Sequence, residues 1–164
     1  MIFVTVGTQL PFDRLIDAMD AVAANLDEPV IAQTGTDPAG RWPHLQAHAR
    51  LEPDRFEAYF KDARLVVGHA GIGTLLSAER HGTPLILVPR RHDLGEHRNA
   101  HQMATVRQLE GRLGVRVVWD EKILGEVLME PIPMPFSGSG ERQDTALGPE
   151  HARLIAKLGQ ILGG

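Results

Sequence analysis

Strand-length apolar runs alternate along the chain with segments whose apolar residues recur at helical spacing. Ile2 to Val6 predicts a buried strand ending at Gly7. From Phe12 to about Leu26, the residues Leu15, Ile16, Met19, Val22 and Ala23 fall on one face of an amphipathic helix. Pro29 to Thr34 predicts a second strand, followed by a loop with Gly35, Pro38, Gly40 and Pro43, and Ala47 to Leu51 predicts a weaker third. Asp54 suits the N-cap of a short helix carrying Phe56, Tyr59 and Phe60, because its carboxylate can accept the orphan amides of a first turn. Leu65 to Val67 is a fourth strand, Thr74 to His81 a helix ending at Gly82, and Pro84 to Val88 a fifth strand. A helix over roughly His97 to Arg112 leads to a sixth strand, Val115 to Trp119, after which Asp120 caps a helix to about Met129. This alternation predicts an α/β fold with a mainly parallel sheet.

Beyond Met129 the pattern changes. Residues 130–149 hold four of the chain's eleven prolines and the run Ser137-Gly138-Ser139-Gly140, which predicts a linker or mobile loop. Residues 150–164 form a last helix with Leu154, Ile155, Leu158, Ile161 and Leu162 on one stripe, packed on the chain's own core or on a partner.

A length of 164 residues predicts one core, and 43% hydrophobic with 23% charged residues is ordinary for a globular protein. The net charge of -4 argues against bulk attraction to nucleic acid. With no cysteine, disulfide scaffolds, thiolate metal sites and cysteine nucleophiles are excluded. No basic leader and no apolar run near the ~20 residues that span a bilayer are found, so a cytoplasmic protein is expected.

In an open parallel sheet, ligands bind beyond the carboxyl ends of the strands. Three loops end strands there with small or polar residues: Gly7-Thr8-Gln9, His69 to Thr74, and Arg90 to His97. In the second, Gly68, Gly71 and Gly73 let a backbone approach a ligand closely, and a helix opening at Thr74 offers unpaired amides, an arrangement that suits a diphosphate. The same glycines also fit a tight strand-to-helix turn and nothing more. Neither GxGxxG nor GxxxxGK[ST] is present, which disfavours NAD and ATP. The third loop is too polar for packing alone and reads as ligand contact or as solvated surface. Eight histidines raise a metal site, and His92, His97 and His101 could cluster, yet of these three only His97 and His101 have i, i+4 spacing and no HExxH accompanies them, so no metal and no cofactor is expected. No GxSxG elbow occurs.

Three segments together resemble glycosyltransferase family 28, C-terminal domain type: Val4-Thr5-Val6-Gly7-Thr8-Gln9-Leu10-Pro11-Phe12-Asp13-Arg14-Leu15, Gly68-His69-Ala70-Gly71-Ile72-Gly73-Thr74, and Pro84 to Arg91 continued by Gly95-Glu96-His97-Arg98-Asn99-Ala100-His101-Gln102. They are most similar to the small donor-binding subunits of two-component transferases, such as bacterial exopolysaccharide glucuronosyltransferase subunits and the eukaryotic dolichol-pathway UDP-GlcNAc transferase subunit. The resemblance implies a Rossmann-like parallel sheet of about six strands with helices on both faces, equivalent to the C-terminal half of a GT-B enzyme. Residues 1–129 would form this nucleotide-sugar-binding domain.

By the same resemblance, Gly7, Thr8 and Gln9 would line the cleft near the donor phosphates, and His69, Ala70, Gly71, Ile72, Gly73 and Thr74 would cradle the diphosphate. Arg90, Arg91, Glu96, Asn99 and Gln102 would lie towards the sugar and uracil-ribose side. Many relatives hold the ribose hydroxyls with a glutamate where this sequence has Ser77; Glu79 lies about 200° round the helix and cannot simply substitute. The implied reaction is inverting, metal-independent transfer from a UDP-sugar to a lipid-linked glycan in exopolysaccharide biosynthesis. A membrane-anchored acceptor-binding subunit would hold the chain at the inner face of the membrane. The catalytic base is not identified; Glu96, His97 and the partner are candidates. UDP-glucuronate and UDP-GlcNAc both remain as donors, with Arg90-Arg91 suited to a sugar carboxylate. A non-enzymatic UDP-sugar-binding module and a structural subunit of a membrane enzyme are the rival readings.

Overall fold

The computed structural model describes residues 1–8, 10–96, 106–107, 109–110 and 114–131. The linker expected at 130–149, apart from its first two residues, and the helix expected at 150–164 lie outside the described residues, as does most of the helix expected from His97 to Arg112.

Six strands form one sheet: β1 (Ile2–Thr5), β2 (Val30–Gln33), β3 (Gln46–His48), β4 (Leu65–His69), β5 (Leu85–Val88) and β6 (Val115–Val117). Every pairing is parallel, in the order β3-β2-β1-β4-β5-β6. The chain runs outward from β1 to β3, then crosses back to add β4 on the other side of β1. The order therefore reverses between β1 and β4, which is where such sheets open a crevice for ligands.

Alternate residues of each strand feed two cores. Ile2 and Val4, Val67, Ile86 and Val88 pack on one face against Leu15, Ile16 and Met19 of α1 (Asp13–Ala23) and Leu124, Val127 and Leu128 of α4 (Leu124–Met129). Phe3, Val66, Leu85 and Leu87 pack on the other against Phe60 of α2 (Pro53–Asp62) and Leu75 and Ala78 of α3 (Ile72–His81). Helices thus cover both faces, as the alternation requires. Phe3 anchors the second core, with the rings of Phe56, Tyr59 and Phe60 at 5.3, 5.8 and 5.9 Å. On α1, Asp13, Asp17 and Asp20 share a face and fasten the loop after β2, through Arg41 at 2.9 Å, the Trp42 indole at 2.7 Å and the His44 amide at 2.9 Å.

Several boundaries differ from the sequence reading. The first turn of α2 is set by Pro53 after Glu52 rather than by an Asp54 cap, since proline is pre-shaped for that position. Helix α3 starts at Ile72, two residues before the expected Thr74, with Gly71 as its cap residue. Asp120 does cap, accepting the Lys122 amide at 3.0 Å, but it caps a 3-10 turn (Glu121–Ile123) that leads into α4. Gly82 ends α3 in the left-handed region at φ +65, where its amide and that of Thr83 close the last turn on Glu79 and Ala78.

Candidate functional site

Parallel register sets the strand-end loops side by side. Thr5 pairs with Gly68, and His69 with Val88, so the segments after β1, β4 and β5 leave the sheet at one edge. His69 is the meeting point. Its imidazole lies between Gly7 and Gly71: a Cβ built on Gly7 would stand 2.7 Å from Cε1, and one on Gly71 would stand 2.3 Å from Nε2. Gly7 also has φ +74, so two reasons exclude a side chain there. Its backbone is held as well, the amide donating to Thr5 Oγ1 at 3.3 Å and the carbonyl accepting from Gln33 Nε2 at 3.4 Å. Thr8 beside it is exposed.

The three glycines of the second loop have three different jobs. A Cβ on Gly68 would meet Thr74 Cγ2 at 3.0 Å and the Thr5 carbonyl at 3.1 Å, so Gly68 lets α3 seat closely on the sheet. This replaces the expectation that Gly68 serves ligand approach. Gly71, at φ -106, is not strained and instead leaves room for the His69 ring. Gly73 is exposed with nothing within 4 Å of its Cβ position, so the first turn of α3 is open at that residue, while Ile72 packs on the second core and Thr74 is buried. The Gly71 amide is bonded to the His69 carbonyl at 2.8 Å, and the first intrahelical bond runs from Leu75 to Gly71. Helix geometry therefore leaves the amides of Ile72, Gly73 and Thr74 without intrahelical acceptors, at the positive end of the helix dipole. Ala70 is buried beneath them.

Arg90 and Arg91 part company. Arg90 is buried at 5% exposure, and its guanidinium donates to the carbonyls of Pro11 at 2.6 Å, Leu10 at 2.7 Å, Val6 at 2.9 Å and Glu96 at 3.3 Å. It also stacks 4.7 Å from the Phe12 ring. Burial lowers its basicity, opposed by the charge of Glu96. The expected reach of Arg90 to a sugar carboxylate is thus replaced by a clamp on the loop after β1. Arg91 is exposed and pairs with Asp93, Nη2 to Oδ2 at 2.7 Å.

Glu96 is likewise committed. Burial alone would raise its pKa, but the bonds from Arg14 and from the Arg91 amide, with the charges of Arg14 and Arg90, outweigh it and hold the carboxyl below the ordinary glutamate value. A carboxylate so held is a weak proton acceptor, which argues against the expected role of Glu96 as base. Gln9, His97, Asn99 and Gln102 lie outside the described residues.

Two site neighbours went unassigned in the sequence reading. Arg14 holds Glu96; the available signal was a cation in the first turn of a helix, where the dipole disfavours it. Glu57, on α2, accepts from Ser77 Oγ at 3.4 Å and meets His81 Nε2 at 2.6 Å. A carboxylate thus does stand beside position 77, brought by the neighbouring helix. No spacing within α3 signals it. Among the described residues no cluster of His, Asp and Glu could hold a metal ion.

No curated protein matches the chain in sequence. Among solved structures, MurG of Acinetobacter baumannii is similar with a TM-score of 0.60 and 16% identity, over 77% of this chain and 39% of that one. VinC, solved in complex with DTDP, is similar at 0.55 and 15% identity, over 99% of this chain and 37% of that one. ALG13, solved by NMR, is similar at 0.54 and 15% identity, over 84% of this chain and 90% of that one. The chain spans about 39% of the length of the first of these relatives. The shared fold is that of the C-terminal half of GT-B glycosyltransferases. The model of the glycosyltransferase family 28 C-terminal domain matches residues 1–132, and the chain belongs to that family.

Proposed function

We propose that this chain is the donor-binding, catalytic subunit of a heteromeric inverting glycosyltransferase that moves a sugar from UDP-glucuronate or UDP-GlcNAc to a lipid-linked glycan in exopolysaccharide biosynthesis. The observation that carries this reading is the uncovered Gly73 in the first turn of α3, where helix geometry leaves the amides of Ile72, Gly73 and Thr74 without intrahelical acceptors at the point where the strand order reverses. Open amides at a helix N-terminus stabilise a diphosphate, and most of all the charge that develops on it as it leaves. The acceptor hydroxyl displaces UDP from the anomeric carbon in one step, its proton passing to a base that is not Glu96. The partner or His97 supplies that base. VinC, as solved with DTDP, offers a relative that holds a nucleoside diphosphate on this fold.

Arg91 meets the sugar: its exposed fork, held on Asp93 at 3.3 and 2.7 Å, exchanges that carboxylate for the one of glucuronate. Glu57, placed against Ser77, accepts the ribose hydroxyls in place of the glutamate that relatives carry on α3. Among the described residues no helix is long and apolar enough to cross a membrane. A membrane-anchored acceptor subunit brings the chain to the inner face of the membrane. The test is transfer of labelled sugar from each UDP-sugar to a membrane lipid extract, with and without the co-expressed partner. Turnover that requires both chains supports the reading. Binding of UDP without turnover in any combination reduces the chain to a binding module.

A further inference from the structure

Arg14 lies in the first turn of α1, where a cation opposes the helix dipole, and its side chain is only 15% exposed. Something other than helix formation keeps it there. Its Nε and Nη2 hold the two oxygens of Glu96 at 2.8 and 2.9 Å, Nη2 also donates to the Pro89 carbonyl at 3.0 Å, and Nη1 is paired with Glu121. One guanidinium thereby joins the segments that follow β1, β5 and β6.

Glu96 passes this fixation on. Its Oε2 accepts the Arg91 amide at 2.7 Å, and its own amide donates to the Arg91 carbonyl at 3.2 Å. Both backbone polar groups of Arg91 are therefore answered by Glu96. Arg90, next in the chain, is buried on carbonyls, so Arg91 presents the exposed guanidinium of the pair, its Nε and Nη2 resting on the equally exposed Asp93 at 3.3 and 2.7 Å, a partner that an anionic donor would replace. What Arg14 fixes is the point from which Arg91 reaches outward.

We propose that Arg14 is a positioning residue for donor recognition: through its two-point bond to Glu96 it aims Arg91 at the anionic sugar of the donor. The proposal rests on the reading of Arg91 as the group that meets the sugar carboxylate. Lysine keeps the charge of Arg14 but cannot hold two carboxylate oxygens in one plane, so Arg14→Lys separates geometry from charge.

The experiment titrates UDP-glucuronate and UDP into the full chain by calorimetry, for the wild type, Arg91→Gln, Arg14→Lys and the double variant, with a melting temperature for each. The readout is the ratio of the two affinities, which a merely structural role for Arg14 would not move. Arg91→Gln is expected to lower that ratio about tenfold, the size of one charge-assisted hydrogen bond. Arg14→Lys is expected to lower it about fivefold while UDP itself stays within about twofold, and the double variant to be no worse than Arg91→Gln alone. A ratio that Arg91→Gln collapses but Arg14→Lys leaves at the wild-type value overturns the positioning role and spares the reading of Arg91. A ratio that Arg91→Gln leaves unchanged overturns that reading and the proposal with it, as does a wild-type chain that binds neither ligand. Additive losses in the double variant overturn the route through Arg91. Should Arg14→Lys melt below the assay temperature, Glu96→Gln is judged by the same ratio, and an unchanged ratio there overturns the proposal.

Discussion

Ser77 on α3 donates its hydroxyl to Glu57 on α2 across the interface of the two helices, at 3.4 Å. Side chains on a helix lean towards its N-terminus, so Ser77 lies one turn below the bare position of Gly73. A nucleotide held by its phosphates at the first turn of α3 would bring its ribose towards this pair. Glu57→Gln should weaken UDP by about 1.5–3 kcal/mol and 2′-deoxy-UDP much less, because the lost bond is one from a hydroxyl to a charged acceptor. Calorimetry with both nucleotides measures it. Equal losses would reduce Glu57 to a tie between helices.

Gly73 separates binding from folding. Its Cβ position is empty, and alanine is the better helix former by about 0.5–1 kcal/mol, so Gly73→Ala should raise the melting temperature. The same methyl stands over the open amides, so UDP affinity should fall. Gly71→Val must instead displace the His69 ring, and should lower both stability and affinity. Gly73→Ala with raised stability and wild-type affinity would take this turn out of the site.

Arg90 should behave as a structural residue. Arg90→Gln strips donors from the carbonyls of Val6, Leu10 and Pro11 and should destabilise the chain by on the order of 3 kcal/mol, at about 1–3 kcal/mol for each buried group left unsatisfied. Where the variant remains folded, UDP and UDP-glucuronate should weaken alike. A loss confined to UDP-glucuronate would return Arg90 to the sugar.

The layered α/β plan was legible because buried parallel strands read as unbroken apolar runs, as in Leu85 to Val88. Their order was not: nothing in periodicity says that β4 returns to the far side of β1. The start of α3 is hidden in the sequence because Gly73, its second residue, is a poor helix former, and the cap at Gly71 makes no side-chain bond that sequence could announce. Arg90 looked like a ligand group because three carbonyls from the segment between β1 and α1 converge on it only in three dimensions. Arg91, its neighbour in sequence, has the opposite exposure.

Glu96 predicts a pH dependence with a definite sign. Its folded pKa is depressed, so the folded state binds its proton less readily than the unfolded chain does. The stability it contributes is complete above the ordinary glutamate value of about 4.3 and is lost as pH falls through the depressed value. In thermal melts across this range, the advantage of the wild type over Glu96→Gln should therefore vanish towards acid and be constant near neutrality. An advantage that grows as pH falls would contradict the assignment.

The proposed function requires a nucleoside diphosphate on the first turn of α3. It is tested most directly by recording amide shifts of the isotope-labelled chain during titration with UDP and, separately, with uridine. Saturable shifts are expected at Ile72, Gly73 and Thr74 with UDP, and at most small ones there with uridine, which lacks the phosphates. Saturable binding of UDP that leaves these three amides unmoved, or no binding at all, would contradict it.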